Sequence, residues 1–264
     1  MIQSINKALA ILSLFSYSKP SYGLMEIASI LGLPKGTAHN IIRTLERNRF
    51  LQQDEETRKY SLGSKIFTLG TIMSGTLEIN QKGAGPAQKL ANKTDLVSRI
   101  AIWDQDAALI SIEQHPHTSQ LLSPRIGPRV AAYCSAIGRA ILAYLPQSEI
   151  DAYFNKTSLT PFTEKTMTSR DQIIEELKNT RSRGYAINNE ELTLGRASIA
   201  SPIFKGAGRV AGAISLTWLR DRKINVETDI LIHDLRTTAG EISEYLGYYP
   251  TIPEEVRTFN RLNR

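Results

Sequence analysis

Between Leu24 and Asn48, two stretches of helical apolar spacing are joined by only Gly32-Leu33-Pro34. Leu24, Ile27, Ala28 and Leu31 recur at offsets of three and four, and Ala38, Ile41, Ile42 and Leu45 do the same after the joint. Gly32 suits the residue just past a helix end, and Pro34 suits the first turn of the next helix. So short a joint is that of a helix-turn-helix. Upstream, Ile5, Ala8, Leu9, Leu12 and Phe15 mark another helix, followed by a loop over Ser16–Gly23. Downstream, Arg49–Gln53 and Lys59–Leu62 flank the polar Asp54-Glu55-Glu56-Thr57-Arg58, the pattern of a hairpin. Three helices and then a hairpin is the order of a winged helix-turn-helix, expected over residues 1–63.

A recognition helix must present hydrogen-bonding side chains to the major groove near its N-terminal end. Lys35, Thr37, His39, Asn40 and Arg43 lie opposite the apolar positions of the third helix. Asn pairs with adenine, Arg or Lys with guanine, and Thr meets the thymine methyl. Gly36 and Thr37 also leave room for backbone amides to approach a phosphate. Arg58 and Lys59 suit a wing that contacts phosphate or the minor groove. The plain alternatives are a solvated polar face and an ordinary charged turn. Charge favours the nucleic-acid partner: Met1–Gly75 holds nine cations and five anions, which is +4 of the whole chain's +6. One such domain reads few base pairs, so a homo-oligomer on a two-part double-stranded operator is expected.

Beyond the hairpin the pattern changes. Ser64–Asn80 reads as a connecting helix that Lys82-Gly83-Ala84-Gly85-Pro86 breaks, giving a linker helix over 64–81 and a second domain over 82–264. Val97–Trp103, Ala107–Glu113, Ser119–Arg125, Tyr185–Asn188, Ala197–Phe204 and Arg209–Trp218 read as strands. Helices are expected up to Thr94, over Ser135–Leu145, from the Ser169-Arg170-Asp171-Gln172 capping box to Arg183, and over Val226–Leu246. Hairpins mixed with helices make an α+β domain.

Other classes find little support. The 264 residues contain no run of the roughly 18 apolar residues a membrane span needs, and the N-terminus lacks a signal peptide's pattern. A cytoplasmic protein with no membrane partner is expected. Cys134, the only cysteine, excludes an internal disulfide and a zinc knuckle. His115 and His117 share no helical face, so no metal or cofactor is expected. An enzyme, such as a small-molecule hydrolase using Cys134, would need a base and an orienting acid. No Gly-x-Ser-x-Gly elbow, P-loop or dinucleotide fingerprint is present. Tyr133 and Trp103 suit either an aromatic-accepting cavity or core packing.

The chain resembles the IclR family of bacterial transcription regulators nearly throughout. In the first domain the likeness runs through Ala8–Leu12, Leu24–Ala28, Gly32–His39 and Lys59–Gly63, with Gly36 where the family usually has Ser or Thr. In the second it runs through Ser135–Ala143, Arg183–Glu191, Gly195, Ser198–Ile203 and Ala213–Leu216. The resemblance implies a GAF-like effector-binding and oligomerisation domain after the winged helix-turn-helix. It also implies a dimer or dimer of dimers, and a regulator controlled by a small organic or aromatic acid. A ligand-independent DNA-binding protein is the alternative. A carboxylate needs donors and positive potential, which the backbone amides of Ala136 and Ile137 would offer at a helix start. In the family this helix start binds effector. The resemblance adds Asn188, Ser198, Ser215 and Thr217 as the other wall. Asn188 stands where Asp is common, and Ser198 where Cys is frequent. Arg196 is displaced by one residue from the family's usual Gly-x-Arg-Cys order. On a strand that shift changes faces, so Arg196 either enters the pocket or is solvated.

Overall fold

The computed structural model describes residues 2–117, 128–221 and 228–249. The chain divides between Thr76 and Leu77 into two compact units. The first holds α1 (Gln3–Leu12), β1 (Ser21–Tyr22), α2 (Leu24–Ile30), α3 (Lys35–Arg47), β2 (Leu51–Gln53), β3 (Tyr60–Leu62) and α4 (Ser64–Thr76). Ile11, Ile27, Ile42, Leu45 and Leu51 form its core, with Tyr22 and Tyr60 beside them. Gly32 takes a φ of 60°, the left-handed conformation that ends α2 and turns the chain into α3. The hairpin is present and gains a third strand, in the order β1-β3-β2, because Tyr22 pairs with Tyr60 in the segment expected to be loop.

The second unit holds α5 (Glu78–Thr94), β4 (Val97–Asp104), β5 (Ala107–Gln114), β6 (Arg129–Ala131), α6 (Ala136–Leu142), α7 (Gln147–Lys156), α8 (Arg170–Arg183), β7 (Ala186–Asn189), β8 (Arg196–Lys205), β9 (Arg209–Leu219) and α9 (Thr228–Tyr245). Six strands form one antiparallel sheet in the order β6-β5-β4-β9-β8-β7. Period-two alternation splits its faces. Ile100, Ile199, Ile214 and Leu216 point to one side, where α5 and α9 cover them. Ala101, Ala108, Ala186, Ala200 and Ala213 point to the other, where α6 lies. Small residues there let α6 approach closely. A Cβ on Gly138 would stand 2.4 Å from the Ala132 Cα, so this helix start tolerates only glycine without a backbone shift.

Three expectations change. The helix from Ser64 does not run to Asn80: it ends at Thr76, and a new helix starts at Glu78. The Gly-Pro stretch does not break that helix. Ile79, Gly83, Pro86, Ala87, Leu90 and Ala91 of α5 are buried, and a Cβ on Gly83 would meet Ile100 Cδ1 at 2.4 Å. Burial of that face outweighs the roughly 3 kcal/mol that an interior proline costs. Ser169 stands at the start of α8 but its side chain makes no capping bond. Ser119–Arg125 lies outside the described residues, as does Val226.

A buried ion pair fastens α6 to the segment after β7. The Arg139 guanidinium, 0% exposed, donates to both Glu191 carboxylate oxygens at 2.9 and 2.6 Å and to the Ile187 carbonyl. Asn188 adds a second tie, donating to the Cys134 carbonyl at 2.5 Å and accepting the Glu191 amide at 3.2 Å. Glu191→Ala would strand the guanidinium, and we expect a loss of about 3–5 kcal/mol of stability. Chemical denaturation of the full chain checks this, and a loss under about 1 kcal/mol, the scale of an exposed pair, would show that the pair contributes little.

Candidate DNA-reading helix and effector cavity

The geometry of α3 follows from its alternating demands. Ala38, Ile42 and Leu45 are buried, and the turn between them leaves Lys35, Gly36, His39, Asn40 and Arg43 exposed on the opposite side, with Thr37 half-buried. All the expected base- and phosphate-facing residues of this helix therefore lie on the solvent side. The hairpin turn is built by Asp54. Its carboxylate accepts the Thr57 amide and hydroxyl, each at 2.7 Å, and its carbonyl accepts the Arg58 amide at 3.0 Å. The Thr57 amide is the main reason the Asp54 carboxyl is held below its ordinary range. Arg58 takes a φ of 57°, and both Arg58 and Lys59 are exposed at the tip.

In the second unit, Ala136, Ile137, Asn188, Ser198, Ser215 and Thr217 all line one cavity of about 50 Å³ between α6 and the sheet. The pairing register explains their meeting. Asn188, Ser198 and Thr217 stand opposite one another on β7, β8 and β9, while Ser215 stands opposite Arg99 of β4. All five side chains share the alanine-bearing face. Arg196, two residues before Ser198, shares it too and lines the cavity. Of the two placements open to Arg196, the cavity is the observed one.

The individual groups divide between the cavity and the core. Ser135 caps α6, accepting the Gly138 amide at 3.2 Å and donating to the Ala131 carbonyl at 2.7 Å. Asn188 lines the cavity, yet its amide already holds Cys134 and Glu191. Aspartate could not donate to the Cys134 carbonyl, which gives the asparagine a local reason. Tyr133 and Trp103 do not line the cavity. Tyr133 is 1% exposed and donates to the Thr160 carbonyl at 2.5 Å, and Trp103 meets the Tyr153 ring edge-on at 5.7 Å. Both belong to the core. Cys134 is fully buried, and burial pushes its thiol up to about 12. A thiol so rarely ionised at neutral pH is no nucleophile. Among the described residues, no cluster of three His, Cys, Asp or Glu side chains suits a metal ion. Nor is any helix there long and apolar enough to cross a membrane.

The sequence did not single out Arg99 or Glu113. They pair across β4 and β5, with Arg99 Nε 2.6 Å from a Glu113 oxygen, and the other Glu113 oxygen lies 2.8 Å from His115 Nε2. Burial alone would raise the Glu113 carboxyl, but the Arg99 guanidinium and His115 together outweigh it and hold it below the ordinary range. The available signal was an arginine in the middle of an apolar strand.

The family signature described as "Bacterial transcriptional regulator IclR C-terminal" matches residues 73–244, and "IclR helix-turn-helix domain" matches residues 4–55. The HTH-type transcriptional regulator XynR of Escherichia coli is 30% identical over 248 residues, covering 94% of this chain and 98% of the relative. The glycerol operon regulatory protein of Streptomyces coelicolor is 33% identical over 251 residues, covering 93% and 97%. An IclR homologue from Microbacterium hydrocarbonoxydans, solved with 4-hydroxybenzoate, shares the fold at a TM-score of 0.79 and 19% identity, covering 92% of this chain and 98% of that one. A helix-turn-helix unit whose third helix exposes a polar face, followed by an α+β unit with a cavity against its sheet, agrees with these matches, and the chain belongs to the IclR family of DNA-binding transcriptional regulators.

Proposed function

We propose that this regulator binds a double-stranded operator through Lys35, Gly36, Thr37, His39, Asn40 and Arg43, with Arg58 and Lys59 on the adjoining backbone. Binding is controlled by a small organic carboxylate held in the cavity of the second unit. One observation carries the ligand half of this reading: residues of α6, β7, β8 and β9 that are distant in sequence converge on one cavity lined, among the described residues, by two arginines and no carboxylate. Such a space favours an anion. The complex of the Microbacterium homologue with 4-hydroxybenzoate supports a carboxylate in this fold. The effector acts only through its preference between conformations, and typical couplings of about 1–3 kcal/mol give roughly 5- to 150-fold changes in DNA affinity.

A homo-oligomer, a dimer or a dimer of dimers, is the form that binds. Support comes from α4: none of its residues is buried, and Phe67, Leu69, Ile72 and Met73 are exposed, Phe67 by 78%. A helix with such a surface suits a second copy of the chain.

Three outcomes test the reading. His39→Ala or Arg43→Ala should weaken operator binding by about 1–3 kcal/mol while nonspecific DNA changes less, as measured by fluorescence anisotropy; equal losses on both would remove the base-reading role. Ser215→Leu should fill the cavity and abolish the response to carboxylates while leaving operator affinity intact, and an unchanged response would place the effector elsewhere. Ile72→Glu should dissociate the oligomer in sedimentation, whereas unaltered assembly would exclude α4 from the contact.

A further inference from the structure

β7 covers only part of β8. Its first residue, Ala186, pairs with Ala200, and Gly184, at a φ of 78°, turns the preceding chain away into α8. Residues 201–205 therefore pair with β9 on one side, and among the described residues no strand lies on the other. The end of α9 covers that edge instead. Ser243 Oγ accepts the Phe204 amide at 3.0 Å, and the Leu246 carbonyl accepts the Gly206 amide at 3.3 Å. Between α9, this edge and the chain that follows α6 lies a second cavity, of about 220 Å³. It shares no lining residue with the cavity beside Ala136 and Ile137.

Three rings line this space. Phe204 meets Tyr144 edge-on at 5.1 Å, and Tyr248 at 5.1 Å with a tilt of 45°. From α9 come Arg236, Gly240 and Glu244, spaced by four and so on one stripe of the helix. Glycine is a poor helix former, and packing does not demand it at 240, where a Cβ would meet no atom within 4 Å. Its lack of a side chain leaves the cavity wide. The serines are committed: Ser201 donates to the Gly184 carbonyl at 3.3 Å and Ser243 to the Ala239 carbonyl at 2.6 Å. Arg236 is exposed, and among the described residues it makes no hydrogen bond or ion pair. Its guanidinium lies face-on over Gly184, with Nη2, Nε and Cζ at 3.4, 3.5 and 3.6 Å from where a Cβ would stand. The N–H groups lie in the guanidinium plane and are left for a ligand. Burial is the first reason the Tyr144 hydroxyl is pushed above its ordinary range, and the Arg181 and Arg236 charges act against it, so both are felt at the ring.

We propose that this cavity at the sheet edge is a second ligand site, which takes a planar aromatic acid with one acid group. The aromatic part lies over Gly240 against Phe204, Tyr144 and Tyr248, where ring contacts add to apolar burial. The acid group lies outward on the Arg236 fork, whose geometry matches it. The Glu244 carboxylate stands two turns further along α9 and disfavours a second acid group at that end. An apolar cavity of about 150 Å³ holds benzene, so the larger volume here suits two fused rings. This site does not depend on the reading of the other cavity as the effector site.

Calorimetric titration of the full chain tests it, with 2-naphthoate, neutral 2-naphthamide, cyclohexanecarboxylate and inorganic phosphate as probes. 2-Naphthoate should bind saturably and about fivefold more tightly than 2-naphthamide, the scale of one exposed ion pair. Cyclohexanecarboxylate and phosphate should bind more weakly than either. Arg236→Gln should erase the preference for the acid while leaving the affinity for the amide unchanged; a loss of both alike would make Arg236 a structural residue and sink the proposal. Gly240→Leu should abolish naphthoate binding by filling the space. Tyr248→Leu, which removes one ring near the end of the helix, should weaken it by about three- to tenfold and carries the test should the leucine at 240 disturb the fold. Ser215→Leu, which fills the other cavity, should leave naphthoate binding unchanged. Binding that Ser215→Leu removes and Gly240→Leu spares belongs to the other cavity and overturns the proposal. So does a lack of saturation by 2-naphthoate up to about 10 mM, well above a millimolar Kd.

Discussion

Side-chain alternation across β4, β9, β8 and β7 is the constraint on which the second unit depends. One face of the sheet must be dry to hold α5 and α9, and it carries Ile100, Ile199, Ile214 and Leu216. The register that buries those residues also sends Arg99, Ser215, Thr217, Ser198, Arg196 and Asn188 to the opposite face. A slip of one residue would exchange the two sets and destroy core and cavity together. The polar wall is thus fixed by the hydrophobic packing behind it. The alanines on the polar face finish the work by letting α6 sit close, so that its first residues close the space.

The first unit obeys a simpler rule. Its core is a handful of aliphatic residues and two tyrosines, and nearly everything else on α3 is free to face outward. A small core of this kind stabilises little. It does hold one helix with its polar side presented, and Asp54 builds the adjoining turn from local bonds alone.

Much of this was legible in the residues. The period of three and four located α2 and α3, and Gly32 and Pro34 marked their joint. Period-two runs located β4, β5, β8 and β9 within one or two residues of their observed limits. Asn188, Ser198, Ser215 and Thr217 were brought together by likeness to a family rather than by pattern, since nothing in the spacing of four residues on three strands says that they touch. What escaped has physical causes. Gly83, Gly85 and Pro86 have poor helical propensity, and only the sheet packed against α5 reveals why a helix persists there. The two-residue β1 is too short to show a period. Arg99 and Glu113 meet through a register that is shifted by a bulge between Ile100 and Ala101, which no count along the chain reveals.

The segment from Glu190 to Gly195 is held from several directions. Besides the Arg139 pair, Thr163 donates to the Glu190 carbonyl at 2.8 Å, Thr166 donates to the Glu191 carbonyl at 2.6 Å, and Lys165 meets the Glu190 carboxylate at 2.6 Å. Within the segment, the Gly195 amide donates to the other Glu190 oxygen at 2.9 Å. A stretch pinned at so many points has a fixed length: adding or deleting one residue would break several ties at once. The segment therefore tolerates an exchange of side chains better than a change of length.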